Sequence, residues 1–354
     1  MSKTVPACAL LACLALACEG TSGGRRARDA GPDGAAQDTG TVDTETYNDD
    51  CDEVGFPVSG RPPDVMILLD RSASLGVGDP RPWDPTSAAV TAIAEAMDPQ
   101  IRFGLTLFPP GQGVCAAASG PNVPVGEGTS QHIADILSKT EPTGRGTPTT
   151  VSLDAVAAYL AALDDESPKV ILLATDGAPN CSDSPALDCE TCIHSWSSCE
   201  SARDCLDVTT IAHAMDIHDF YGIDIYVIGM GGVVADFDDV MSQIAQYGGT
   251  GDFYPAATPD ALEAAFKDVA AATVECTFSV DWSALAPGTS KDKGKVNVFA
   301  DGVLAPFSAA CANKDGWRWL DDGTVELCGD LCHDYRYAIV HHVTATFGCD
   351  TVVE

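Results

Sequence analysis

The chain has 354 residues, with 19 Lys and Arg against 52 Asp and Glu, a formal charge of −33. That length suits about two domains, and such an acidic balance excludes nucleic acid and anionic membrane surfaces as electrostatic partners, because both require a basic patch. Hydrophobic residues make up 45% of the chain, which rules out wholesale disorder, and beyond its N-terminal stretch no apolar run approaches the roughly 20 residues that span a bilayer.

Lys3 leads an apolar stretch from Val5 to Ala17, the pattern of a secretory signal and too short for a spanning helix. Its end, Ala15-Leu16-Ala17-Cys18, resembles a bacterial lipobox, whose cysteine becomes the lipidated N-terminus, although Ala15 replaces the usual large aliphatic residue. Leu10-Leu11-Ala12-Cys13 fits that position better but leaves a very short apolar region. Lipidation is expected at Cys18, with Cys13 as the alternative and ordinary cleavage and release as the plainer reading. Of the 15 cysteines, those outside this segment are Cys51, Cys115, Cys181, Cys189, Cys192, Cys199, Cys205, Cys276, Cys311, Cys328, Cys332 and Cys349. An even set behind an export signal reads as disulfides made in an oxidising compartment, with a connectivity that spacing does not fix. The expected location is the outer membrane surface or cell envelope as a lipoprotein, or the medium if the chain is released.

Residues 19–50 are Gly, Asp, Thr, Ala and Arg with almost no large apolar side chain, the composition of a flexible acidic tether. From Asp64 the pattern becomes alternating strands and amphipathic helices. Val65 to Leu69 is a continuous apolar run, a strand buried on both faces. A helix opening at Asp84-Pro85 and carrying Val90, Ile93, Ala94 and Met97 follows, closed by Pro99. Ile101–Phe108 is a second strand and Asn122–Val125 a short edge strand. Helices are expected at 130–139 and 149–163, then a buried strand at Val170–Ala174. A cysteine-dense insertion, 181–205, precedes a helix bearing Val208, Ile211 and Met215. A strand at Asp224–Gly229, a helix around Phe237, Val240, Met241 and Ile244, and a last helix opened by Thr258-Pro259 complete the series. This β–α alternation predicts an α/β fold, a doubly wound and mostly parallel sheet flanked by helices. From Glu275 the helical period vanishes and short alternating runs appear, with Asp301-Gly302 as a tight hairpin turn. The expected organisation is an α/β domain over 51–274, core 64–271, and a small disulfide-rich β domain over 275–354.

Ligands of an open parallel sheet sit at the carboxyl ends of its strands, where the strand order reverses. The first strand ends in Asp70-Arg71-Ser72-Ala73-Ser74, a later one in Thr175-Asp176-Gly177, and a Gly-rich loop, Gly144-Arg145-Gly146-Thr147-Pro148-Thr149, precedes a helix. If those strands flank the switch point, Asp70, Ser72, Ser74, Thr147 and Asp176 meet in one crevice. Two carboxylates there repel one another and resist desolvation. Carboxylate and hydroxyl oxygens are hard ligands, suited to a divalent cation: Mg²⁺ is the expected ion, Mn²⁺ or Ca²⁺ the alternatives.

On these residues, Asp64 to Ala271 resembles a von Willebrand factor A domain, whose metal-ion-dependent adhesion site reads Asp-x-Ser-x-Ser, then a distant Thr and a distant Asp. The resemblance implies that Asp70, Ser72, Ser74, Thr147 and Asp176 are the metal-site residues. It also implies a partner, a protein or extracellular-matrix ligand, that offers a carboxylate to the ion. The family's usual Gly between the serines is Ala73 here, which costs turn freedom if a positive φ is needed, and Leu75 stands where Met is common. An inactivated site, with Asp70 and Ser72 merely capping the following turn, is the plainer alternative. The order of signal, tether, A domain and Cys-rich tail also resembles lipoproteins abundant in myxobacteria and related bacteria.

Other constellations point less far. Cys189, Cys192, Cys181, Cys199, Cys205 and His194 have the composition of a zinc knuckle, but in an exported chain a disulfide-stapled loop is expected, bordering the crevice. Cys328, Cys332 and His333 also suggest metal, whereas His341 and His342, neighbours in an alternating strand, point to opposite faces and cannot share an ion. Trp317 and Trp319 share one strand face and are expected to pack the small domain, with an exposed carbohydrate platform as the alternative. An enzyme is not expected. A dehalogenase-type phosphatase needs a second Asp two residues after its nucleophile, where Ser72 stands, and neither serine has a nucleophile elbow or partnering His. Arg71 is expected to be solvated or to pair with surface acids. The function implied is that of an exported, lipid-anchored surface protein binding its ligand through a cation, with no nucleic acid partner and membrane contact only through the lipid. A structural envelope protein with a stabilising or inactive metal site is the alternative.

Overall fold

The computed structural model describes residues 56–57, 62–98, 100–110, 115–118, 120–181, 206–231, 237–283, 285, 288, 291–311 and 315–353. The signal, the lipobox cysteines Cys13 and Cys18, the tether, Pro99 and the insertion beyond Cys181 lie outside them.

Strand β1 (Phe56–Pro57) precedes a six-stranded sheet made of β2 (Asp64–Asp70), β3 (Arg102–Phe108), β4 (Val123–Gly126), β5 (Lys169–Thr175), β6 (Asp224–Met230) and β7 (Tyr254–Ala256). Its order is β4-β3-β2-β5-β6-β7, with all pairs parallel except the antiparallel edge β3–β4. Every side chain of β2 is buried because both faces are covered by helices. Alternation sends Val65, Ile67 and Leu69 to one face, where they meet α1 (Trp83–Met97), α2 (Ser130–Ser138) and α6 (Pro259–Thr273). Met66 and Leu68 go to the other, against α3 (Thr149–Ala161), α4 (Thr209–Tyr221) and α5 (Asp238–Tyr247). The expected doubly wound α/β fold is therefore present. Helix α6 starts where its sequence signals place it: Thr258 is the N-cap, its hydroxyl accepting the Ala261 N–H, with Pro259 following.

Three expectations about helices are corrected. Helix α1 begins at Trp83, before the Asp84-Pro85 pair. Helix α4 buries Thr210, Ala214 and Ile217, leaving Val208 and Met215 59% and 39% exposed. The reason is polar: the Thr210 hydroxyl meets that of Thr150 on α3 at 2.6 Å, and Thr150 donates to the buried Asp207 at 2.7 Å, which turns this face inward. Finally, the C-terminal region is not devoid of helix, since α7 (Gly329–Arg336) carries Cys332 and His333.

The remaining strands, β8 (Thr277–Ser279), β9 (Val296–Ala300), β10 (Val303–Ala305), β11 (Gly316–Trp319), β12 (Thr324–Cys328) and β13 (Val343–Phe347), form two antiparallel sheets, β1-β13-β9-β10 and β11-β12-β8. Asp301 and Gly302 both take positive φ, 46° and 80°, as the two-residue β9–β10 hairpin requires. Trp317 is fully buried among Phe278, Leu327, Ala345 and Phe347, so it packs this core and offers no exposed platform. Disulfides join Cys276 to Cys332 and Cys311 to Cys328. His341 and His342 precede β13 rather than lying in a strand, and both donate backbone N–H bonds to the Asp301 carboxylate. Among the described residues no helix is long and apolar enough to cross a membrane.

Candidate metal centre

The strand order reverses between β2 and β5, so Asp70, the last residue of β2, and Asp176, the first after β5, flank that reversal at the carboxyl edge of the sheet. Asp70 is fully buried. Its Oδ1 accepts the Ser72 N–H at 2.7 Å, and its Oδ2 accepts the hydroxyl of Thr175, its neighbour on β5, at 2.6 Å. Both carboxylate oxygens are thus held in place. The Gly-rich loop is laid against the β2 loop by two backbone bonds, Ala73 N–H to Gly144 O at 2.9 Å and Gly144 N–H to Arg71 O at 3.2 Å. Residue 144 must be glycine, because a Cβ there would stand 2.2 Å from Pro109 Cγ.

The five expected residues all lie at this edge. The Ser72 hydroxyl lies 2.8 Å from that of Ser74 and donates to Asp176 Oδ1 at 3.3 Å. Ser74 and Asp70 also lie near enough to Asp176 to influence its carboxyl. Thr147 is 4% exposed, and its hydroxyl reaches to 3.8 Å from where a Cβ on Gly177 would stand, beside Asp176. Ser72 makes no side-chain capping bond to the turn that follows it, so its hydroxyl serves the crevice instead. Ala73 opens a right-handed 3₁₀ turn, Ala73–Gly76, and therefore needs no glycine.

Electrostatics tests whether a cation fits. Burial, then the charge of Asp176, pushes the Asp70 carboxyl up to about 7, against the bonds from Thr175 and Ser72. Burial raises Asp176 as well. Two carboxylates and three hydroxyls, all oxygen, meet where negative charge is uncompensated; this donor set suits a hard divalent ion. Among the described residues no group of three or more His, Cys, Asp or Glu side chains is placed to hold a metal, so hydroxyls would have to complete any ligand set.

Two contributors escape sequence reasoning. Thr175 orients Asp70, and its position as the last residue of β5, beside the end of β2, is the signal that points to it. Asn180 brackets Thr147, taking its N–H on Oδ1 at 2.7 Å and donating its own N–H to Thr147 O at 3.3 Å; nothing in the sequence marks it. Among the described residues Arg71 makes no ion pair with a surface acid: its Nε is buried without a hydrogen-bond partner there, and burial lowers its pKa. Cys328 and Cys332 are committed to disulfides and are not metal ligands. Cys181 is bonded to Cys115; the rest of the proposed knuckle lies outside the described residues.

A doubly wound α/β domain with an all-oxygen crevice at its switch point is the class of protein that this fold and site define. The von Willebrand factor type A domain profile matches residues 64–268, more than half of the chain, and the chain belongs to that family. No curated protein matches it. Solved structures similar to it include the pilus adhesin SpaC of Lactobacillus rhamnosus GG, at 13% identity and TM-score 0.47, covering 82% of this chain and 40% of that one. The vWF domain of the type V pili tip protein Mfa5 of Porphyromonas gingivalis aligns at 15% identity and TM-score 0.43, covering 60% and 94%. Proximal thread matrix protein 1 of the mussel byssus, solved with zinc in its MIDAS motif, aligns at 14% identity and TM-score 0.39, covering 64% and 51%. The chain thus spans well under half the length of SpaC.

Proposed function

We propose that this is an exported, non-enzymatic surface protein, lipid-anchored at Cys18, whose A domain holds one divalent cation through Asp70, Ser72, Ser74, Thr147 and Asp176. Mg²⁺ is the expected ion, with Mn²⁺ or Ca²⁺ as alternatives. The observation that carries this reading is the meeting of the buried Asp70 with the half-buried Asp176 beside the hydroxyls of Ser72 and Ser74, with that of Ser72 not spent on capping the following turn. Bound there, the cation supplies a coordination position for a carboxylate of a protein or matrix partner.

The chain's own residues prepare that position. Thr175 and the Ser72 N–H fix the two oxygens of Asp70. Ser72 gives its proton to Asp176, which leaves its lone pairs toward the crevice. A net charge of −33 repels acidic partners in the absence of the ion, so docking depends on the cation and strengthens as salt screens that repulsion. The test is retention of the protein on a poly-glutamate surface in Mg²⁺ or Mn²⁺. Retention lost in EDTA, and in Asp70→Ala with an intact fold, is expected. Equal retention by Asp70→Ala would contradict the mechanism.

A further inference from the structure

Cys115, in the loop between β3 and β4, and Cys181, five residues after Asp176, are joined by a disulfide across 66 residues, with Cα atoms 5.4 Å apart. Each half touches the loop that carries Thr147. The Cys115 N–H donates to Arg145 O at 3.3 Å, two residues before Thr147. Cys115 itself sits at φ 58°, in the left-handed region that non-glycine residues hold only where their surroundings impose it. On the other side, the residue bonded directly to Cys181 is Asn180, which accepts the Thr147 N–H at 2.7 Å and adds a 3.3 Å bond to the Thr147 carbonyl, which also takes the Thr149 N–H at 2.8 Å. Only an acceptor can receive the Thr147 N–H, so the Asn180 carbonyl oxygen must face it.

The knot is anchored again at Pro179, whose carbonyl accepts the Asp207 N–H at 2.8 Å. The buried Asp207 carboxylate in turn receives the hydroxyls of Thr150, at 2.7 Å, and Thr209. The loops carrying Thr147 and Asp176 are therefore tied to each other, to α3 and to the β3–β4 loop.

From this connectivity we infer that Asn180 and the Cys115–Cys181 disulfide form a brace that presets Thr147 for the cation, with Asn180 as the positioning residue. The inference rests on the metal reading above. Its physical basis is that a ligand supplied by a loop binds tightly only when that loop is already in place, and partners of ligands commonly set metal affinity this way.

The experiment is Mn²⁺ titration of the oxidised full chain at 25 °C, with free Mn²⁺ read by electron paramagnetic resonance and the fold checked by circular dichroism. Asn180→Ala and the double variant Cys115→Ser/Cys181→Ser are expected to bind Mn²⁺ about 10–100-fold more weakly than wild type. Asn180→Asp keeps the acceptor for Thr147 and is expected to bind at or above wild-type affinity, a rescue that a purely structural role for this residue does not predict. A folded double variant with wild-type affinity overturns the brace. If that variant does not fold, the Asn180 pair decides, and wild-type binding by Asn180→Ala overturns it. Failure of the wild-type protein to bind Mn²⁺ overturns the metal reading and this inference with it, whereas unchanged affinity in the variants overturns this inference alone.

Discussion

Replacing Asp70 with Asn should stabilise the metal-free protein and abolish the stabilisation that Mg²⁺ gives wild type. The substitution keeps the shape and removes the charge. Asn retains an oxygen for the Ser72 N–H, and its amide can donate to the Thr175 hydroxyl oxygen, whose proton then turns to Gly177 O, 2.9 Å away. Without a cation, the carboxyl rises from 3.8 to about 7, so between those pH values the folded state binds a proton that the unfolded state lacks. Stability contributed by that proton is complete below about pH 4 and is lost as pH rises through about 7. The whole shift corresponds to about 4 kcal/mol, and relaxation around the carboxylate reduces the usable part to about 2 kcal/mol. In EDTA at pH 7.5, Asp70→Asn should therefore melt about 4–8 °C above wild type, an advantage that shrinks toward pH 4. At a hundredfold excess over its dissociation constant, Mg²⁺ adds about 2.7 kcal/mol to wild type, or about 5–10 °C, and nothing to the variant. Matched thermal scans are the assay, because many disulfide-bonded proteins unfold irreversibly and then only differences at one scan rate compare. A variant less stable than wild type in EDTA, or one that keeps the Mg²⁺ shift, would refute the reasoning.

Two further substitutions probe the scaffold away from the crevice. At the opposite end of β2, the fully buried Asp64 is met by Arg102 Nε at 2.8 Å and Lys169 Nζ at 3.9 Å, and burial still raises its carboxyl to about 6. Arg102→Met removes the nearer cation and should cost about 3 kcal/mol, more at pH 8 than at pH 5, in denaturant titrations, while Mn²⁺ affinity stays unchanged. Trp317 is fully buried, packs edge-on against Phe307 and Trp319, and donates its indole N–H to Ala305 O; Trp317→Ala should cost about 3–5 kcal/mol, again leaving cation affinity untouched.

What was legible in the sequence follows the physics of each element. Val65–Leu69 and Val170–Ala174 announce strands because burial on both faces leaves no polar position, and the polar residues just beyond them mark the edge where the crevice forms. The β–α alternation then supplies the sheet, and the resemblance of Asp70, Ser72, Ser74, Thr147 and Asp176 to a family pattern supplies the set that the structure gathers. Other features were hidden for stated reasons. Helix α7 fully buries none of its eight residues, and only Leu331, Cys332 and Tyr335 pack against the core, too short a stripe to betray a period. The inward face of α4 is built around the Thr210–Thr150–Asp207 network, which apolar counting passes over. Strand β7 has three residues, too few for a pattern. Asn180 acts through two bonds to a residue 33 positions away, a purely tertiary relation.

The measurement that bears most directly on the central claim is calorimetric titration of Mn²⁺ into the full chain at physiological salt, where weak binding by scattered surface acids is screened. The account predicts one saturable ion per chain, lost together in Asp70→Ala and in Thr147→Ala while both keep the wild-type fold. Absence of a saturable site in the wild-type protein, or a site that survives both substitutions, would contradict it.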